Sequence, residues 1–200
     1  MDNYELVYQK LMGKVKKLHL KELVISLGGK VVSNELILTL LNNNYRIKRR
    51  GIFDHKGKLP PVWERILLCY YILNKGDEEI AFKWKGFNDF SETFPFRANF
   101  KVNVEEKIKD YFSQYPDLLI RKAKFLGGIN WKKEGNSDYA FLFWGLPKIP
   151  ILLLLWKAVE DFSAEAKILF DTSAIRYLDA ESLAVLAMIL ADKLTEKKMN

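Results

Sequence analysis

Tyr4, Tyr8, Leu11, Val15 and Leu18 recur at spacings of four and three, which predicts one face of a helix at the start of the chain. Asn3 can cap it, and Gly28-Gly29 ends the segment. Lys10, Lys14, Lys17 and Lys21 repeat on the same spacing as a second, solvated stripe. Over residues 30–53 the period shortens: β-branched and apolar runs are broken by Ser33-Asn34 and by Asn42-Asn43-Asn44. That pattern predicts short strands joined by tight turns, since Asn tolerates the left-handed backbone that a turn needs. Arg46, Lys48 and Arg50 alternate along the third strand and share a face, with Ile47 pointing the other way. Behind Pro61, "VWERILLCYYILNKG" predicts a helix apolar nearly all round, and such a helix is a buried one.

Further along, the pattern predicts a strand at 80–85, an aromatic-rich irregular stretch, and helices at 102–113 and 116–126. Pro116 starts the second helix and Gly127-Gly128 stops it. Residues 139–159 approach membrane length, but Gly145, Pro147, Lys148 and Pro150 interrupt them. A lysine at the centre of a spanning helix costs about 3 kcal/mol. The stretch reads as strands at 139–144 and 151–156 joined by "GLPKIP", both apolar enough to be buried on two faces. Leucine is a weak strand former, so a short buried helix at 151–156 is the alternative. A third strand at 166–170 follows, then a helix capped by Asp179 with Leu183, Leu186, Leu190 and Leu194 as its stripe. The sum is an α+β fold: a single domain over 1–200, with a mainly antiparallel or mixed sheet and buried helices packed on it. Residues 1–60 can form a basic N-terminal lobe of their own.

Composition adds two constraints. At 49% hydrophobic and 14% aromatic, the chain is rich enough to build a large core and is unlike a disordered protein. Its formal charge of +7 is confined to one end: residues 1–60 hold twelve Lys and Arg against five Asp and Glu, while 61–200 hold twenty of each. A basic end of this kind can steer towards nucleic acid, an acidic protein or an anionic lipid surface, although lysine-rich surfaces are also common without a partner. The one cysteine, Cys69, lies in the apolar run "RILLCYYIL" and reads as a small buried hydrophobe. One thiol makes neither a disulfide, a zinc site nor an iron–sulfur cluster. "MDNYELVYQK" lacks a signal-peptide core, so a cytoplasmic location without membrane insertion is expected.

"ILLCYYIL", "WKGFNDF", "FLGG" and above all "GLPKIPILLLLWKAVEDFSAEAKILFDTSAIRYLDAESLAVLAMIL" resemble an uncharacterised prokaryotic family, domain of unknown function 3786. The resemblance covers most of the chain from about residue 60 and is looser before it. It implies an anaerobic prokaryotic setting and an accessory role beside iron–sulfur or corrinoid-related proteins, because some members carry a cysteine-rich iron–sulfur domain. This chain lacks those cysteines, so no cluster carries over. Nor does the resemblance supply a catalytic residue.

The residues themselves assemble no catalytic motif: there is no G-x-S-x-G, no Walker loop and no G-x-G-x-x-G. His19 and His55 are too far apart to suggest a metal site, and Ser173 has no placed histidine partner. No cofactor is expected. The candidate carboxylates are Asp138, Glu160, Asp161 and Asp171, with Glu165 nearby. Placed near strand ends, they could do acid–base work or bind a hard cation, and each also reads as a turn former or a solvated loop residue. Three functions are therefore carried forward. The first is an accessory or binding domain. The second is a small-molecule or metal-dependent enzyme built on Glu160, Asp161 and Asp171 with Trp156 and Arg97 near. The third is an anion or nucleic-acid binder using Arg46, Lys48 and Arg50.

Overall fold

The computed structural model describes residues 3–131 and 136–196. Helix α1 (Asn3–Val15) buries Tyr8, Leu11, Met12 and Val15, the face set by their spacing. Asn3 is already inside it rather than capping it. The helix ends well before Gly28; a 3-10 turn (Leu20–Leu23) and a short α2 (Val24–Leu27) complete the segment. Gly28 then adopts φ 64°, the left-handed stop that glycine permits without strain.

A four-stranded antiparallel meander follows: β1 (Lys30–Val32), β2 (Glu35–Leu40), β3 (Asn43–Lys48) and β4 (Gly51–Asp54). Ser33-Asn34 and Leu41-Asn42 turn its first two hairpins, all four with positive φ, as two-residue hairpin turns require. The second turn sits one residue earlier than the three asparagines suggest. Leu41 accepts the strained backbone because it is buried and its N–H donates to Gly145 O (3.0 Å) on the other sheet. Helix α3 (Val62–Asn74) starts behind Pro61 and is largely buried, including Glu64 and Arg65.

The second sheet is also antiparallel, in the order β5-β9-β8-β7-β6, built from β5 (Trp84–Gly86), β6 (Ile129–Asn130), β7 (Tyr139–Leu146), β8 (Ile149–Trp156) and β9 (Glu165–Asp171). The apolar run at 151–156 is strand, not helix. Its connection to β7 shrinks to Pro147-Lys148, and Pro150, which has no N–H to donate, stands opposite Trp144 beside an irregularity in the pairing. The strand expected at 80–85 is shorter than its pattern suggests, because Phe82 is left-handed (φ 51°) and breaks the extension. In place of the expected 102–113 helix, one rod runs through α4 (Arg97–Phe100), a π-helical stretch (Lys101–Glu106) and α5 (Lys107–Phe112). Helices α6 (Pro116–Phe125), α7 (Ala174–Tyr177) and α8 (Ala180–Thr195) complete the α+β fold. Asp179 caps α8 by accepting the Ser182 N–H (2.8 Å), and the predicted leucine stripe is buried.

One buried apolar cluster runs from Tyr8 through both sheets to Leu194. Tyr71 links its parts: its hydroxyl donates to Leu27 O (2.8 Å) and accepts the Lys148 N–H (3.1 Å). Arg65 ties α1 to α3, donating to both Glu5 carboxylate oxygens (3.2 and 2.9 Å) and lying 4.4 Å from the centre of the Tyr8 ring. Among the described residues no helix is long and apolar enough to cross a membrane.

Cys69 is fully buried in this cluster, and burial pushes its thiol up to about 12. The thiolate is the reactive form, and it is both scarce and out of reach at neutral pH. A chromogenic disulfide reagent at pH 8 is therefore expected to leave the native protein unlabelled and to titrate one thiol per chain after denaturation. Stoichiometric labelling of the native protein would show that the core opens around α3.

Candidate functional site

Residues alternate between the two faces of the second sheet. The inner face (Phe141, Phe143, Ile151, Leu153, Ile168 and Phe170) joins the main core. The outer face carries Ala140, Leu152 and Leu154, with Trp84, Trp131, Trp156 and Leu169 against them. At one end a ring cluster covers this face. Phe82 lies 6.3 Å from Trp84, 6.0 Å from Trp131 and 6.4 Å from Trp144, centre to centre. Such edge and offset contacts are favoured by the ring quadrupoles.

Asp171 holds that cover in place. The carboxylate is fully buried; Oδ1 accepts from Ala81 N (3.2 Å), Ser173 N (3.0 Å) and Ser173 Oγ (2.6 Å), and Oδ2 from Lys83 N (3.0 Å). The left-handed residue between Ala81 and Lys83 turns both N–H groups onto one anion, a backbone nest. Asp171 thus carries Phe82 onto the sheet.

The other end of the outer face stays open as a groove of about 480 Å³. Leu154, Trp156 and Leu169 lie along it with Lys167. The 3-10 turn Phe87–Asp89 forms one wall, and Arg97, Lys101 and Glu105 of the rod form another. Arg97 clamps that turn: its guanidinium donates to Asn88 O (2.7 Å), Phe90 O (3.4 Å) and Thr93 Oγ1 (3.3 Å), and lies 5.6 Å from the centre of the Phe94 ring. Lys101 and Glu105 both belong to the π-helical stretch, a rare conformation frequently found at functional sites. Strand β5 covers β9 only from Leu169 onward, so the Ile168 N–H reaches a bare sheet edge and donates to Glu105 Oε1 (3.2 Å). Burial, the largest influence, pushes the Glu105 carboxyl above its usual range, and Glu165 adds to this; the Ile168 N–H, Lys167 and Lys101 pull the other way. Lys167 lies 3.0 Å from Glu165, whose carboxylate holds the ammonium above its ordinary value. The lining is therefore apolar along the sheet, with three cations and the carboxylates Asp89 and Glu105 around it.

Of the residues singled out in the sequence, Trp156 and Arg97 meet in this groove. The acidic set does not assemble. Glu160 and Asp161 are exposed at the tip of a tight turn closed by Val159 N to Phe162 O (3.0 Å) and Phe162 N to Val159 O (2.7 Å). Asp138 is at the same end of the sheet and accepts the Lys157 N–H (2.7 Å). Asp171 is at the far end of β9, about 20 Å away at the rise of an extended strand. On the N-terminal sheet, Lys48 and Arg46 both face Glu35, at 2.7 and 3.6 Å. Lys48 foremost holds that carboxyl below its usual range. Strand β3 ends at Lys48, so Arg50 falls in the following turn instead of on the strand, and its guanidinium lies 5.0 Å from the centre of the Phe53 ring. Among the described residues no group of three or more His, Cys, Asp or Glu is placed to hold a metal ion.

Glu105, Lys167 and Asp89 escape a reading of the sequence. The spacing of four between Lys101 and Glu105 was a signal that they share a helix face, but nothing local says that this face looks onto a sheet edge.

No curated protein and no solved structure matches the chain. The sequence model of the family described as Domain of unknown function (DUF3786) matches residues 19–193, from the turn after α1 to near the end of α8. Most of the chain is thus accounted for by one family, and the protein belongs to the DUF3786 family.

Proposed function

We propose that the domain is a binding module whose ligand is a small anionic molecule with a flat apolar part. The observation that carries this reading is the groove itself. Trp156, Leu154 and Leu169 offer an apolar surface beside three cationic side chains, in a volume that suits a small molecule.

Anilinonaphthalene sulfonate is a suitable probe, being flat, apolar and anionic. Trp156→Ala is expected to weaken its binding about tenfold, the loss of one aromatic contact of about 1.4 kcal/mol. The pH dependence has a definite sign. The raised Glu105 carboxyl takes up a proton as pH falls, the groove loses a negative charge, and the anion binds more tightly at pH 5 than at pH 7.5. Glu105→Gln flattens that dependence and binds at neutral pH as the native protein does in acid. Fluorescence titration checks both. Binding indifferent to Trp156→Ala places the probe elsewhere and overturns the reading.

For the partner we propose the class that the resemblance implies, iron–sulfur or corrinoid-related proteins of an anaerobic prokaryote. Phe94 and Phe162, both more than 70% exposed, lie beside the groove residues Arg97, Lys101 and Glu105. Exposed aromatics of this kind suit a protein contact. Co-purification from native extract with such a protein supports the proposal; recovery of the chain alone overturns it.

A further inference from the structure

A second pocket opens beside the N-terminal sheet. Met12, Val15 and Ile47, all buried, give it an apolar floor. Lys16, His19, Lys21 and Arg49 stand around it, all exposed, with the acidic Glu22 among them. Lys48 also lines it, but its ammonium lies 2.7 Å from Glu35. Four separate stretches build this site: the end of α1, the 3-10 turn behind it, the β1–β2 turn through Asn34, and the end of β3 with its turn into β4. They are drawn together by the packing of α1 and β3 into the core, and the whole net charge of the chain resides in this part of it.

We propose that this pocket binds the phosphate group of a small phosphorylated molecule. Arg49, Lys16 and Lys21 line one concavity of about 360 Å³. Arg reads a tetrahedral oxyanion through paired N–H donors, Lys adds point charge, and together they suit a dianion better than a single carboxylate. The volume is at the lower end for small-molecule sites, room for a phosphate and a short carbon body. The apolar floor suits that body and has no role in binding a polyanion across an open surface. The site is separate from the groove on the second sheet and does not depend on the reading given for it.

The chain has two histidines, which supply a built-in reporter and control. His19 lines the pocket, while His55 lies in the turn after β4 and does not. Proton NMR of the imidazole C2–H signals, during titration with inorganic phosphate and then glycerol 3-phosphate at ionic strength held constant with chloride, separates specific binding from screening. The His19 signal is expected to move saturably and the His55 signal to stay. Glycerol 3-phosphate should bind more tightly than inorganic phosphate. Arg49→Gln and Lys21→Gln, both exposed, should each weaken binding about fivefold, the loss of one charge-assisted contact of about 1 kcal/mol. The proposal is overturned if both histidine signals move together, if no saturation is reached, or if Arg49→Gln binds as well as the native chain. It is overturned equally if a single-stranded oligonucleotide binds this face and glycerol 3-phosphate does not displace it.

Discussion

Asp171→Ala is expected to destabilise the fold by about 4 kcal/mol, the largest effect of any single substitution considered. The carboxylate accepts from three backbone N–H groups and one hydroxyl, all at a fully buried position. Alanine leaves those donors without their acceptor, and each orphaned buried donor costs about 1–3 kcal/mol. Folding stability of a domain this size is about 5–15 kcal/mol, so the variant retains a thin margin. Urea unfolding followed by circular dichroism measures the loss. Asp171→Asn keeps one acceptor oxygen but sets an NH₂ group against a backbone donor, and should fall between. A second readout is local: with the nest released, Phe82 leaves Trp84, Trp131 and Trp144, and tryptophan emission shifts to the red. A loss below about 1 kcal/mol would mean that the segment around Phe82 is held by ring packing, with Asp171 incidental.

Glu64→Ala comes next, at about 3 kcal/mol. Glu64 is buried on α3, accepts the Tyr45 hydroxyl of β3 (2.6 Å) and pairs with Lys193 of α8 (3.0 Å). One carboxylate thus joins the N-terminal sheet, the central helix and the last helix. Removing it strands a buried phenol and a partly buried ammonium. A double-mutant cycle with Tyr45→Phe isolates the coupling, expected at about 1–3 kcal/mol; additive effects would sink the idea of a shared bond. The pair also sets an alkaline limit. Burial first, and then the Glu64 charge and hydrogen bond, push the Tyr45 phenol well above its ordinary value. A raised group holds its proton more tightly when folded, so its contribution is fully present below about pH 10, the unfolded value, and is lost as pH climbs through the folded one. Burial moves Tyr8 and Tyr71 in the same direction. Unfolding in base should therefore begin above about pH 10, and Tyr45→Phe should move the onset upward.

Much of the architecture was legible because periodicity is local. The leucine stripe of α8, its Asp179 cap and the broken run around Pro147 each declare themselves within a few residues. Errors gathered where distant contacts override local preference. Leu41 holds a left-handed turn that asparagine would have been expected to take, because it is buried and bonds Gly145. Ala81 and Lys83 give up strand pairing because Asp171, 88 residues from Lys83, takes their N–H groups.

The candidate site divides the same way. Trp156 and Arg97 could be named from residue type, but their meeting depends on strand order, and so do the partners they find. Glu160 and Asp161 stayed at a turn, while Asp171 went to the opposite end of β9 and into the interior. A carboxylate's chemistry is set by what surrounds it, and in this chain the surroundings come from segments far away in sequence. By itself the sequence determined the α+β class, the buried helices, the basic N-terminal end and the family, all of which follow from composition or from patterns a few residues long. Only the tertiary structure decided that one carboxylate is a buried strut, that another caps a bare sheet edge beside a groove, and that scattered cations close around a pocket, because each depends on which elements pack together.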